Sequence, residues 1–569
     1  MSLNALIVLT SLAAAAYLAR RLWQRLLLSR AKHPSLQGHP RISRRVARLL
    51  PFYEYDDAHF FRCDGAPRPV EEMRRSAYER LRQTFISRTP SARANAGRLK
   101  RHLADAAFTS TYRVPFQFRN RVNRDLPFNY LVARTQGVQM VDTDGQAAYD
   151  LSGSYGVNVF GYDFYKQCLE QSQIIGGQLG PALGVYHPVI IDNAERLARL
   201  SGLDGVSFHM SGTEAVMQAV RLARYNTGRS RAVRFSGSYH GWWDGVQPGV
   251  GGQRRTRDIF TLSEMSERTL RVLRSRRDIA CVLVSPLQAL HPNSSAPGDA
   301  SLVASDRGAH FDKAAYSRWL KQLRAVCSER GIVLIFDEVF SGFRLGLGGA
   351  QAYFGVAADI VAYGKTLGGG LPVGALCGKP QFMRRYRDEA PADICFARGT
   401  FNAHPQVMAA MNAFLQRLES PAVTELYSGL EDRWDAWRAD LNAALAAENL
   451  PVRLAGIVSV WSVLYTLPGR YNWMFQFYLR EQGLHLSWTG TGRLIFSHDY
   501  AEDDFQAVRD RFIEAARRMQ ADGWWWQTPA LTNKAIKRRV LREMLAARLR
   551  RMLPGRAGRD PSLPQPSRL

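Results

Sequence analysis

Three short segments carry side chains suited to chemistry. Ser211-Gly212-Thr213-Glu214-Ala215 follows an apolar run and opens the helix-like AVMQAVRLAR. A glycine there lets the backbone approach an anion, the free amides of a first helical turn donate to it, and the Thr hydroxyl adds a donor. The same residues would equally serve as an ordinary helix N-cap. Phe336-Asp337-Glu338-Val339 ends the run IVLIF. An acid there could ligate a metal, act as a general base or face a protonated ring nitrogen, and its position does not choose among these. Tyr363-Gly364-Lys365-Thr366-Leu367-Gly368-Gly369-Gly370 ends a third apolar run. A lysine among glycines at a strand end suits an amine that must become neutral enough to form a Schiff base. Its plainer reading is a surface lysine that snorkels to water. An anion cradle, a strand-end acid and a strand-end lysine are together what pyridoxal phosphate requires: a phosphate site, a pyridinium partner and a linking amine.

The elements that must position these residues are legible in the pattern. Gly205–Met210, Arg231–Phe235, Ile279–Val284, Ile332–Phe336 and Ile360–Tyr363 read as buried strands, and Glu214–Tyr225 and Ala314–Arg330 as helices. That alternation implies a mostly parallel sheet covered on both faces. Ligands of such sheets bind beyond the carboxyl ends of the strands, where all three segments fall.

The segment FDEVFSGFRLGLGGAQAYFGVAADIVAYGKTLGGGLPVGALCGKP, Phe336 to Pro380, resembles the signature of class III pyridoxal-phosphate aminotransferases. SGTEAVMQAVRLAR, SYHGWWDG and GGAQAYFGV are most similar to the glutamate-1-semialdehyde aminomutases and their aminotransferase relatives. The likeness runs from about Phe128 to Ala521, and VDTDGQAAYDLSG resembles the family's early strand-turn-strand. It implies an α/β fold of type I among pyridoxal-phosphate-dependent transferases. Such a fold has a large domain with a mostly parallel seven-stranded sheet and a smaller α+β domain.

The resemblance also implies roles. Lys365 would bind the cofactor covalently and then carry the proton between the substrate carbon and the cofactor. Asp337 would keep the ring nitrogen protonated. Ser211, Gly212 and Thr213 would hold the phosphate, Tyr239 with His240 beside it would cover one ring face, and Val339 the other. Thr400, in Gly399-Thr400-Phe401-Asn402, would reach the phosphate of a neighbouring subunit, making a homodimer with shared active sites the expected form. No metal ligand set is expected. Three departures from the aminomutase pattern stand out. The acidic gate position falls near Gly490 in Trp488-Thr489-Gly490-Thr491-Gly492, the carboxylate-gripping Ser-Pro-Val-Arg segment has no counterpart around Arg121 to Phe128, and Ser285-Pro286 stands where relatives often have Glu-Pro.

Composition sets the rest. The chain has 569 residues, 46% hydrophobic and 22% charged, which excludes a disordered polymer or a disulfide mini-protein. The six cysteines form no CxxC pair, so reduced thiols are expected. The net charge of +26 must meet anionic lipid, nucleic acid or an acidic partner, or be solvated. No nucleic-acid module accompanies it, so no nucleic-acid partner is expected. Met1 to Ala19 carries no charge and is followed by Arg20, Arg21 and Arg25. It reads as a single N-terminal anchor with the bulk of the chain on the cytoplasmic side of the inner membrane. An amphipathic or partner-covered helix is the alternative. Residues 537–552 read as a basic amphipathic helix, lying on anionic lipid or docked on the domain, with Trp524, Trp525 and Trp526 at headgroup level.

The expected divisions are an anchor over 1–30, an Arg-rich helical extension over 31–125 and the start of the transferase over 126–200. The cofactor domain follows at 201–400, the small domain at 401–523, and a basic helix with a disordered tail at 524–569. The activity expected is transfer of an amino group between an amino donor and an aldehyde or ketone, hydrophobic and acyl-chain or carrier-bound, with an acyl carrier protein as a partner. The alternatives are an aminomutase, an epimerase or a decarboxylase on the same framework, and, from another class, a catalytically idle membrane-bound assembly protein.

Overall fold

The computed structural model describes residues 3–33, 36–126, 130–250, 257–286, 312–487 and 492–552. Strands β1 (Val132–Gln136), β2 (Gln139–Asp142) and β3 (Ala147–Asp150) form an antiparallel meander, with Leu484–His485 added parallel to β3. The central sheet contains β4 (Gly205–His209), β5 (Arg231–Phe235), β6 (Ile259–Leu262), β7 (Ile279–Val284), β8 (Val333–Asp337), β9 (Ile360–Gly364) and β10 (Gly374–Gly378). Their spatial order is β4-β10-β9-β8-β7-β5-β6. The six others run parallel, and β10 lies antiparallel between β4 and β9.

All five strands read from the sequence form here, three of them with bounds that differ by one residue. The two that pattern reading passed over are β6 and β10. β10 begins and ends on glycine and has only Ala375, Leu376 and Cys377 between, so periodicity has little to act on. β7 is buried at every position, which is why its sequence shows no alternation. The helices Gly212–Thr227 and Lys313–Arg330 cover the sheet and end at Gly228 and Gly331, both left-handed, the conformation glycine adopts without steric cost.

A second, antiparallel sheet of Val452–Ile457, Val460–Tyr465 and Arg493–Ile495 packs under the helices Leu430–Ala447 and Glu502–Ala521. Arg344 ties it to the central sheet: its Nη1 donates to Ser459 Oγ and to the Phe496 carbonyl, both at 2.7 Å.

The Arg-rich extension is part of the core. Phe60, Phe61, Tyr78 and Phe118 interlock edge-on or tilted with one another and with Trp473 and Trp524. Arg74, fully buried, makes a two-pronged pair with Asp64 and lies over the Tyr471 ring.

One expectation is corrected here. Trp524 and Trp525 are buried, with indole N–H groups donating to the Tyr478 hydroxyl and Asn472 Oδ1; they do not project toward lipid. Aromatic area of that size is worth more inside the core than at an interface, and both indole donors find partners there. The basic helix spans Asn533–Met552 and docks on the body through Ile536, Ala547 and Glu543. Helix α1 (Leu3–Ala31) is followed by α2 (Pro40–Leu49). Residues 554–569, expected to be a disordered tail, lie outside the described residues.

Candidate active site

The parallel strands bring their carboxyl ends to one edge of the sheet. Register places Asp337 opposite Ala362 and Gly364 opposite Gly374, which in turn faces His209. Asp337, Lys365 and Ser211 thus leave three strands on one side. Gly374 is required by contact: a Cβ there would stand 2.2 Å from the Ser211 carbonyl oxygen.

Ser211 caps the Gly212–Thr227 helix, its Oγ accepting from the Glu214 amide at 3.2 Å, while the Glu214 carboxylate accepts from the Met210 amide at 2.8 Å. This is a capping arrangement, and it leaves the Gly212 and Thr213 amides at the positive end of the helix without partners in the helix itself. A Cβ on Gly212 would stand 2.5 Å from Val339 Cγ1, and one on Gly241 would stand 2.5 Å from Thr213 Oγ1. Gly212, Thr213, Gly241 and Val339 therefore line one cradle that tolerates no added carbon.

Asp337 is buried. His240 Nδ1 lies 2.7 Å from Asp337 Oδ2, and the Val339 amide donates to Oδ1 at 3.2 Å. Burial lowers the His240 pKa, partly offset by the Asp337 carboxylate. The neutral ring then donates from Nδ1, and its buried Nε2 has no partner among the described residues. Tyr239, the residue before His240, is 62% exposed.

Lys365 holds a left-handed backbone at φ 51°, a conformation that costs a non-glycine residue about 1 kcal/mol or more and concentrates at functional sites. Its Nζ lies 4.7 Å from the centre of the Phe340 ring. Burial lowers its pKa to about 8; Asp337 raises it, and Arg344 and Arg493 lower it further. A lysine so placed is half neutral near pH 8, and its burial sets it apart from a lysine that snorkels to water.

The structure therefore gathers Ser211, Gly212, Thr213, Tyr239, His240, Asp337, Val339 and Lys365 at one edge. Thr400 is exposed, and its neighbour Gly399 lies against the Glu214 carboxylate. The gate position near Gly490 lies outside the described residues.

Sequence reasoning missed three neighbours. Phe340 presents its ring to Lys365. Arg344 is fully buried yet close enough to bear on Lys365, and burial lowers its pKa to about 10. Glu338 accepts from the Ala350 amide at 2.7 Å and is lifted by burial to about 7. A lone arginine and an acid inside apolar sequence were the available signals.

A phosphate cradle at a helix start, a buried carboxylate with a lysine whose amine is held near neutrality, and a mostly parallel seven-stranded sheet define a type I pyridoxal-phosphate-dependent transferase. The residues fit that cofactor: the cradle is closed to a Cβ, and the Asp337 carboxylate is held in place by His240 and the Val339 amide. Comparison with known proteins agrees. The family model for class-III aminotransferases matches residues 121–501, and the chain belongs to that family. A glutamate-1-semialdehyde 2,1-aminomutase of Nitratidesulfovibrio vulgaris is 33% identical over 403 residues, covering 68% of this chain and 91% of the relative. A solved transaminase with pyridoxal phosphate bound aligns at TM-score 0.58 and 26% identity over 70% of this chain and 92% of its own. A glutamate-1-semialdehyde aminomutase structure from Pseudomonas aeruginosa aligns at TM-score 0.63 and 19% identity, covering 79% and 99%. The cofactor is pyridoxal 5′-phosphate.

Proposed function

We propose that this enzyme is an aminotransferase that moves an amino group between an amino donor and the carbonyl carbon of a hydrophobic aldehyde or ketone, acyl-chain or carrier-bound. The cofactor supplies an electron sink for the carbon that loses its proton. The chain supplies the rest. The backbone amides at Gly212 and Thr213, with the Ser211 and Thr213 hydroxyls, hold the phosphate. Tyr239 and Val339 bracket the ring, and Asp337, oriented by His240, holds the proton on the ring nitrogen. Lys365 Nζ anchors the cofactor and then carries the substrate proton as a general base. The observation that carries this reading is the lowered pKa of Lys365 within reach of the Asp337 carboxylate.

The apolar ring of Phe340 beside Lys365 Nζ supports a hydrophobic acceptor. Of the two guanidinium groups that bear on Lys365, Arg344 is sealed from solvent, whereas Arg493 is partly exposed and supports a carboxylate on the amino donor. Thr400, exposed beside the exposed Phe401, supports a homodimer in which each subunit completes its partner's site.

Purified enzyme incubated with an amino acid donor and a series of acyl aldehydes tests the proposal. Amine product that depends on both components is expected. Isomerisation of glutamate 1-semialdehyde with no net acceptor would replace it by the aminomutase reading, which the names of the relatives favour and the missing gate acid disfavours.

The proposed location rests on α1. The apolar part of Leu6–Ala31 reaches mean hydropathy 1.3 and is exposed, whereas Ala31 at its foot is buried in the body. Its arginines follow the apolar stretch, which supports an anchor with the catalytic body on the cytoplasmic side. Retention in the membrane fraction through alkaline carbonate extraction is the expected result.

A further inference from the structure

The C-terminal helix supplies no residue to the cofactor site, yet it carries an exposed face of one chemical character. Docking settles which side of the Asn533–Met552 helix faces the body. Ile536 and Ala547 are buried, Arg539 Nη1 donates to the Cys63 carbonyl at 2.8 Å, and Glu543 accepts from Tyr53, Tyr55 and Arg470. The opposite side then carries Leu541, Leu545 and Leu549, 53–61% exposed and four residues apart. Arg538, Arg542 and Arg548 flank them. Glu543 is the only acid in the helix sequence, and its charge is taken up by Arg470.

We propose that the outward face of the C-terminal helix lies on an anionic lipid leaflet, orienting the catalytic body beside it. This extends the membrane location proposed for α1. A leucine stripe with cationic flanks matches acyl chains beneath negative headgroups. A second copy fits poorly, since two-fold pairing of this face would set arginine against arginine.

The test uses the full chain in lipid nanodiscs, with Cys395→Ser to remove the one cysteine that is not buried. An environment-sensitive fluorophore is placed at Leu545→Cys, with Asp432→Cys on an exposed helix face as control. Blue-shifted emission at 545 and quenching by lipid-borne quenchers are expected in phosphatidylcholine with phosphatidylglycerol. Phosphatidylcholine alone should give neither, and the shift should be lost in Arg542→Gln/Arg548→Gln and at high salt. Unchanged emission in anionic nanodiscs would overturn the proposal, as would a shift that appears on concentrating the protein, or on adding an acidic carrier protein, without lipid. Carbonate extraction reads α1 separately. Should the chain wash off, the same probe with added anionic vesicles still decides whether this surface binds lipid.

Discussion

His240 Nδ1 and Asp337 Oδ2 meet at 2.7 Å inside the protein, joining the loop after β5 to the end of β8. Burial keeps the imidazole neutral, so it donates to the carboxylate without neutralising it. One oxygen of Asp337 is thereby fixed, and the other is held by the Val339 amide. The carboxylate is held on both oxygens before any ligand arrives, as a preorganised ring-nitrogen partner needs to be.

Asp337→Asn is therefore expected to retain cofactor while kcat falls by about a hundredfold or more. His240→Ala, which leaves the charge but removes its orientation, is expected to lose less. Cofactor content read by absorbance, set beside single-turnover rates, separates the two effects.

The Lys365 amine sets a pH limit. With a pKa of about 8, it is protonated and unreactive below that value and free above it. The rate at which cofactor-free protein takes up pyridoxal phosphate is expected to rise with pH and level off above about 8. Arg344→Met removes a cation that lowers this pKa, so the midpoint should move to higher pH. A stopped-flow absorbance series across pH measures both.

Gly212→Ala places a methyl 2.5 Å from Val339 Cγ1. The strain is about 1–3 kcal/mol, and it falls on the cradle, so cofactor affinity should drop at least tenfold. Ser211→Ala removes the cap and should cost about 1 kcal/mol of stability with a smaller loss of affinity. Equilibrium dialysis and thermal melts distinguish them.

Glu543→Ala removes the acceptor shared by Tyr53, Tyr55 and Arg470. Leaving Arg470, which is 3% exposed, without its carboxylate should cost about 1–3 kcal/mol. Hydrogen exchange should show the Asn533–Met552 helix released before the central sheet.

The cofactor motifs were readable in the sequence because each is local. A strand followed at once by Ser-Gly-Thr, by Asp or by Gly-Lys declares both its element and its chemistry within a few residues, and parallel strands bring such ends to one edge whatever their spacing along the chain. The pair His240–Asp337 and the buried Arg344 were not readable, since their partners lie 97 and 115 residues away and nothing local marks them.

Amphipathic periodicity likewise showed that residues 537–552 would be a basic helix, but not which side would be covered. Tertiary contacts decided that, turning Glu543 inward onto Arg470 and leaving Leu545 outside. The same contacts drew Trp524 and Trp525 into the core, because only a packed neighbour such as Phe61 or Phe475 can offer an aromatic ring more than water or a headgroup does. What one strand end can do chemically is written in its few residues; which distant groups hold it, charge it or cover it depends on packing.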